Sequence, residues 1–137
     1  MKVAVHVDGG SRGNPGPAAA AAVVRDAAGE LIDEATEVLG VATNNVAEYR
    51  GVLLGLRRAS ALGATEVELI NDSELVAKQL NGDYRVKHPA MVPLYLEARA
   101  ALKRFDRWSI RSVRREENVH ADALVNAALD AAAQTSR

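Results

Sequence analysis

The chain has no cysteine. That excludes disulfides and thiolate metal centres, and it suits a reducing compartment. Aromatic residues are scarce, with only Tyr49, Tyr84, Tyr95, Phe105 and Trp108. A protein that grips single strands by stacking bases carries more of them on its strands. No apolar run is long enough to span a membrane. The start, Met1-Lys2 followed by an alternating segment, lacks the apolar core of a secretory leader. Neither sign of charge dominates, and a formal net charge of −1 argues against a strongly basic, non-specific nucleic-acid binder. Together these absences predict a cytoplasmic protein without membrane attachment. A length of 137 residues predicts one domain, which buries roughly two-thirds of the surface its unfolded chain exposes.

What is present begins at Asp8. The segment Lys2 to Asp8 alternates with period two and runs into Gly9-Gly10-Ser11-Arg12-Gly13-Asn14-Pro15-Gly16. A carboxylate at a strand end can hold a metal, and the glycines leave backbone amides open to a polar ligand. The same residues are also ordinary turn chemistry. After Pro17, Ala18 to Arg25 reads as a strand despite its alanines. Asp26-Ala27-Ala28-Gly29 reads as a hairpin turn and Leu31 to Leu39 as an antiparallel third strand. Asn45 to Leu62 has helical spacing in Tyr49, Val52, Leu53, Leu56 and Leu62, with Gly63 as its stop. Val67 to Asn71 is a fourth strand and Ser73 to Leu80 a short helix. Pro89 to Phe105 contains another helix. Trp108 to Val113 is a fifth strand and Val119 to Ala133 a final helix. A meander followed by alternating strands and helices predicts an α/β fold, a mixed sheet with helices on its faces. A basic strip holds Arg99, Lys103, Arg104, Arg107, Arg111, Arg114 and Arg115. It reads as a solvated face that is also able to meet phosphates.

Four carboxylates stand at the ends of different elements, each with a structural alternative. Asp8 belongs to the turn just described. Asp72 follows the fourth strand, where it would also serve as a helix N-cap before Ser73-Glu74. Glu48 completes a capping box with Asn45 as N-cap. Asp122 favours the macrodipole of the last helix. His120 is two residues from Asp122, roughly 200° around a helix, and reads as a surface histidine. Four such groups on four termini are harder to explain structurally than any one alone. All-oxygen sites suit Mg²⁺ or Mn²⁺. Two such ions roughly 4 Å apart activate water and steady the leaving oxygen of a phosphodiester.

The chain resembles ribonuclease H of type 1. The resemblance rests on Asp8 to Gly16, on Thr43-Asn44-Asn45-Val46-Ala47-Glu48, on Asn71-Asp72-Ser73 and on Asn118-Val119-His120-Ala121-Asp122-Ala123-Leu124. It implies a five-stranded mixed sheet of order 3-2-1-4-5 over a catalytic domain of residues 1–134, with residues 135–137 a tail or the start of a linker. It implies an endonuclease that hydrolyses the RNA strand of RNA–DNA hybrids and leaves 3′-hydroxyl and 5′-phosphate ends. Asp8, Glu48, Asp72 and Asp122 match the family's catalytic metal-binding carboxylates. Asp8 would bridge two Mg²⁺ or Mn²⁺ ions, Glu48 and Asp72 would hold one each, and Asp122 would complete the second site. Gly9, Gly10, Ser11 and Asn14 match the loop that meets the RNA strand. Asn44 and Asn45 match minor-groove contacts, Thr43 matches part of a phosphate pocket for the DNA strand, and Ser73 joins the substrate-binding set. A monomer is expected, with the possibility of fusion to a further C-terminal domain.

This sequence departs from the common family pattern in three places. Val41 stands where many relatives have arginine. Asn81 to His88 is too short for the basic protrusion. Val113 to Asn118 has no loop histidine, leaving Arg115 or Glu117 as accessory candidates. The pattern resembles a compact bacterial and archaeal subtype. Two other readings use the same fold. A non-catalytic hybrid-binding module would be expected to lose a metal carboxylate, and none is lost. A related exonuclease or strand transferase would lack the glycine-rich loop.

Overall fold

The computed structural model describes residues 1–135. Its strands are β1 (Lys2–Ser11), β2 (Gly16–Asp26), β3 (Leu31–Ala42), β4 (Glu66–Asn71) and β5 (Arg107–Ser112). Its helices are α1 (Asn44–Ala61), α2 (Glu74–Leu80), α3 (Val92–Leu102) and α4 (Val119–Thr135), with a 3-10 turn over Arg115–Glu117. The sheet order is β3-β2-β1-β4-β5, as expected. β1, β2 and β3 pair antiparallel, while β4 is parallel to both β1 and β5.

Strand alternation splits the sheet into two faces. Val3, Val5 and Val7 of β1 join Ala22 and Val24 of β2 beneath α1, with Val52, Leu56, Val76 and Leu102 in the same core. Ala19 and Ala21 point the other way, against Val125 and Leu129 of α4. The alanine run of β2 is thus buried on both faces. Its small side chains let a helix lie close on either side, and it is strand, not helix.

Several boundaries differ from the sequence reading. β1 does not end at Asp8: Gly9, Gly10 and Ser11 go on pairing with Ala20, Ala19 and Ala18. Backbone pairing tolerates the glycines because β2 supplies a full row of partners. The N-cap of α1 is Thr43, whose hydroxyl accepts from the Val46 amide, so the capping box of Asn45 and Glu48 does not form. The N-cap of α2 is Ser73, which accepts from the Val76 amide, and Asp72 is not a cap. The helix within Pro89 to Phe105 is shorter, Val92–Leu102. Leu62 is the C-cap of α1 and is exposed. Thr135 ends α4, and residues 136–137 of the expected tail lie outside the described residues. Among the described residues no helix is long and apolar enough to cross a membrane.

Candidate active site

The β1–β4 register pairs His6 with Ile70. Continued by two residues, it brings Asp8 and Asp72 together just beyond the carboxyl end of the parallel β1–β4 pairing, the edge where open α/β sheets bind ligands. Asp8 pairs across the ladder with Ala21 and so shares the α4 side of the sheet.

Glycines bring α1 down onto this point. A Cβ on Gly9 would collide with the Ala47 carbonyl, and one on Gly51 would lie 2.5 Å from the Asp8 carbonyl oxygen. Without those side chains the helix rests on the backbone of β1, and Glu48 reaches the strand beside Asp8. The loop is tied to the same helix end. The Asn44 Oδ1 accepts from the Ser11 amide at 2.9 Å and from the Ser11 hydroxyl at 3.0 Å. The Asn44 amide in turn donates to Asn14 Oδ1 at 3.1 Å.

Two asparagines place the remaining carboxylates. Asn71 Oδ1 accepts from the Ser73 amide at 2.6 Å, and its Nδ2 donates to the Arg111 carbonyl at 3.2 Å. This folds the chain over Asp72 and fixes β4 to β5. Asn118 is buried; its Nδ2 donates to the Val7 carbonyl at 3.0 Å, and its own carbonyl accepts from the Asp122 amide at 3.1 Å. The first turn of α4, and Asp122 with it, is thereby pinned to β1 one residue before Asp8.

The result is a cavity of about 410 Å³ walled by Asp8, Glu48, Asp72 and Asp122, by Gly9, Gly10, Ser11 and Asn44, and by Arg115. Asp8 is only 7% exposed. Burial pushes its carboxyl up to about 8, with the charges of Asp72 and Asp122 adding to the rise and the Gly9 amide opposing it. Burial also raises Glu48; Ser73 hydrogen bonding and Arg115 oppose, while Asp72 adds. Asp72 is raised by burial as well, against the pull of Arg115 and of a hydrogen bond from Asn118. Glu48 Oε2 and Asn118 Oδ1 are buried without a hydrogen-bond partner. A buried carboxylate oxygen with no partner is costly to the fold. An oxygen-only set that shares its negative charge this closely fits a hard divalent cation, which relieves both costs at once. Among the described residues no three of these groups already form a cage.

Not every expected residue meets the cavity. Thr43 is occupied as a helix cap, Asn45 is exposed and off its wall, and Asn14 reaches it only through Asn44. Ser73 caps α2 beside Glu48. Arg115 faces the carboxylates, while Glu117 lines a neighbouring cavity. His120 bonds Glu34 at 2.9 Å and Arg25 at 3.3 Å, away from the site, as its helical angle predicted. Two polar wall residues escaped the sequence reading. Asn126 donates to the Asp122 carbonyl, and its i,i+4 spacing from Asp122 was the available signal. Arg12 pairs with Asp130 at 2.7 Å across a separation no local pattern reveals.

A family model described as reverse transcriptase-like matches residues 6–128. A bifunctional protein of Mycobacterium tuberculosis is 49% identical over 137 residues, covering 99% of this chain but 38% of its own length. The chain thus spans well under half of that relative. The relative's N-terminal RNase H domain, solved as a fusion with maltose-binding protein, is similar with a TM-score of 0.95 at 48% identity, covering 100% of this chain and 99% of that one. RNase H1 of the halophilic archaeon Halobacterium salinarum is similar with a TM-score of 0.93 at 43% identity, covering 95% and 98%. LC11-RNase H1, solved with an RNA/DNA hybrid, is similar with a TM-score of 0.91 at 36% identity, covering 95% and 98%.

Proposed function

The chain belongs to the ribonuclease H type 1 family, and from that membership we propose that it is an endonuclease that hydrolyses the RNA strand of RNA–DNA hybrids with two Mg²⁺ or Mn²⁺ ions. The observation that carries this reading is the meeting of Asp8, Glu48, Asp72 and Asp122 in one cavity rimmed by Gly9, Gly10, Ser11 and Asn44. In this reading Asp8, Glu48, Asp72 and Asp122 are the residues that would hold the ions. Such ions, when bound, supply a water nucleophile at neutral pH and charge relief for the leaving oxygen.

The water oxygen bonds to phosphorus, the bond from phosphorus to the 3′ oxygen breaks, and that oxygen gains a proton. The products carry 3′-hydroxyl and 5′-phosphate ends. Gly10, beside Gly9 on the cavity wall, presents bare backbone, so a ribose can come close and its 2′-hydroxyl can be told from hydrogen. Ser11, Asn14 and Asn44 hold that loop to α1, while Asn45 and Thr43 extend the contact toward the minor groove and the DNA strand. Ser73 steadies Glu48. The Arg115 guanidinium faces Asp72 and Glu48, where it attracts the scissile phosphate; Glu117 stands one cavity away. The protein acts as a cytoplasmic monomer, and the mycobacterial relative's greater length supports its working as one module of a longer polypeptide.

The test is incubation with a labelled RNA–DNA hybrid, single-stranded RNA and duplex DNA in Mg²⁺. Cleavage confined to the RNA of the hybrid is expected. Binding without cleavage would replace this reading with a non-catalytic module, and equal cleavage of all three would remove it.

A further inference from the structure

The carboxylate cavity has a neighbour of about 450 Å³ at the end of β5, walled by Arg111, Ser112, Arg114, Glu74 and Glu117. Asp72 lines both cavities and so forms the ridge between them. Two consecutive arginines diverge across this ridge: Arg115 faces the carboxylates and Arg114 the second cavity. Arg114 is exposed, and among the described residues no carboxylate forms an ion pair with it. Arg111 has only Glu68, at a loose 3.9 Å. Of the acidic residues in the wall, Glu74 is held by Lys78 at 2.8 Å. Glu117 tempers the positive charge but does not pair with Arg114. The fold therefore makes little use of either guanidinium, and both stand beside a residue assigned to the reacting phosphate.

Building on the proposed function, we infer that this second cavity is a subsite for a backbone phosphate of the cleaved strand, next to the one being cut. Arg114 is its main contact, supported by Arg111 and the Ser112 hydroxyl. A strand whose scissile phosphate sits by Asp72 leaves the carboxylate cavity on one side at the glycine loop. On the other side it leaves over the Asp72 ridge, into the arginines. Guanidinium suits that position because its fork of donors matches phosphate oxygens two at a time. The subsite also supplies positive charge to a chain that is short of the usual basic protrusion.

The test uses kinetics on matched hybrids that differ only in one linkage of the RNA strand, a normal phosphate or a neutral methylphosphonate on 2′-O-methyl sugars, moved stepwise on either side of the cut. Arg114→Ala should lower kcat/KM about 3- to 10-fold, mostly through KM. It should also flatten the salt dependence of hybrid affinity by roughly 0.7–0.9 in log–log slope, the share of one phosphate contact. At one linkage the neutral group should harm the wild type as much as the mutation does and harm Arg114→Ala no further. Lys2→Ala, at the far end of β1 in register with Glu66, should behave as wild type. Thermal melting checks that each variant is folded. Losses that multiply at every linkage, or an Arg114→Ala variant equal to wild type, overturn the subsite alone. A wild type that leaves the unmodified hybrid uncut overturns the proposed function and the subsite with it.

Discussion

Asp8 and Asp72 each lie two residues past the last pair of the parallel β1–β4 ladder, His6 and Ile70, and the Asp72 charge adds to the rise that burial gives the Asp8 carboxyl. In the metal-free protein Asp8 therefore holds its proton up to about 8, against 3.8 for the free side chain. The folded state binds more protons than the unfolded state between these values, so metal-free stability is highest at the acid end of that window. It is lost as pH rises through it.

Replacement of Asp8 by Asn removes that loss. The variant is expected to melt several degrees higher than wild type at pH 8 without metal, a gain of roughly 1–3 kcal/mol after allowance for relaxation, and to differ little at pH 4. Its hybrid cleavage should fall below about one-hundredth of wild type, since a lost ligand costs more than a lost partner of a ligand. Paired melting curves and initial rates check both. An active variant, or one less stable at pH 8, removes Asp8 from the ion site.

Arg115 opposes the raised carboxyls of both Glu48 and Asp72. Without its positive charge these two groups keep their protons to higher pH, and the ionised set proposed to hold cations forms only at higher pH. Arg115→Ala should shift the acid limb of the kcat/KM profile toward alkaline pH, and Arg115→Lys should restore part of the shift. A profile that only drops in height would assign Arg115 to phosphate contact alone.

Gly9 is the point where α1 rests on β1. Gly9→Ala must push Ala47 and the helix away, at a cost of about 1–3 kcal/mol, the usual range for overpacking. Glu48 then retreats from Asp8, and activity should fall well beyond the stability loss. Calorimetry beside single-turnover rates separates the two effects. Undiminished cleavage would show that Glu48 does not depend on that contact.

The strands and helices were readable because their signals are local. Alternation in Val3, Val5 and Val7 and helical spacing in Val52 and Leu56 come from one burial face each, and both proved to line the same core. Cap positions were less readable. Thr43, Asn44 and Asn45 are all good N-caps, and the choice fell to Thr43 because Asn44 is drawn to Ser11 by the packing of α1 on the loop. The extension of β1 past Asp8 was hidden for a similar reason: glycines advertise a turn, and only the waiting partners on β2 make them a strand.

The sequence by itself determined where carboxylates stand along the chain and which face of each element is apolar, since residue type and periodicity are written along it. Only the tertiary structure decided their company. Asp8 meets Asp72 through a parallel pairing of distant segments, Glu48 arrives because Gly9 and Gly51 have no side chains, and Asp122 is held by Asn118 on the Val7 carbonyl. The divergence of Arg114 and Arg115 to opposite sides of Asp72 belongs to the same class. Such contacts join segments far apart in sequence, and their energy comes from packing and burial that exist only once the whole sheet has formed.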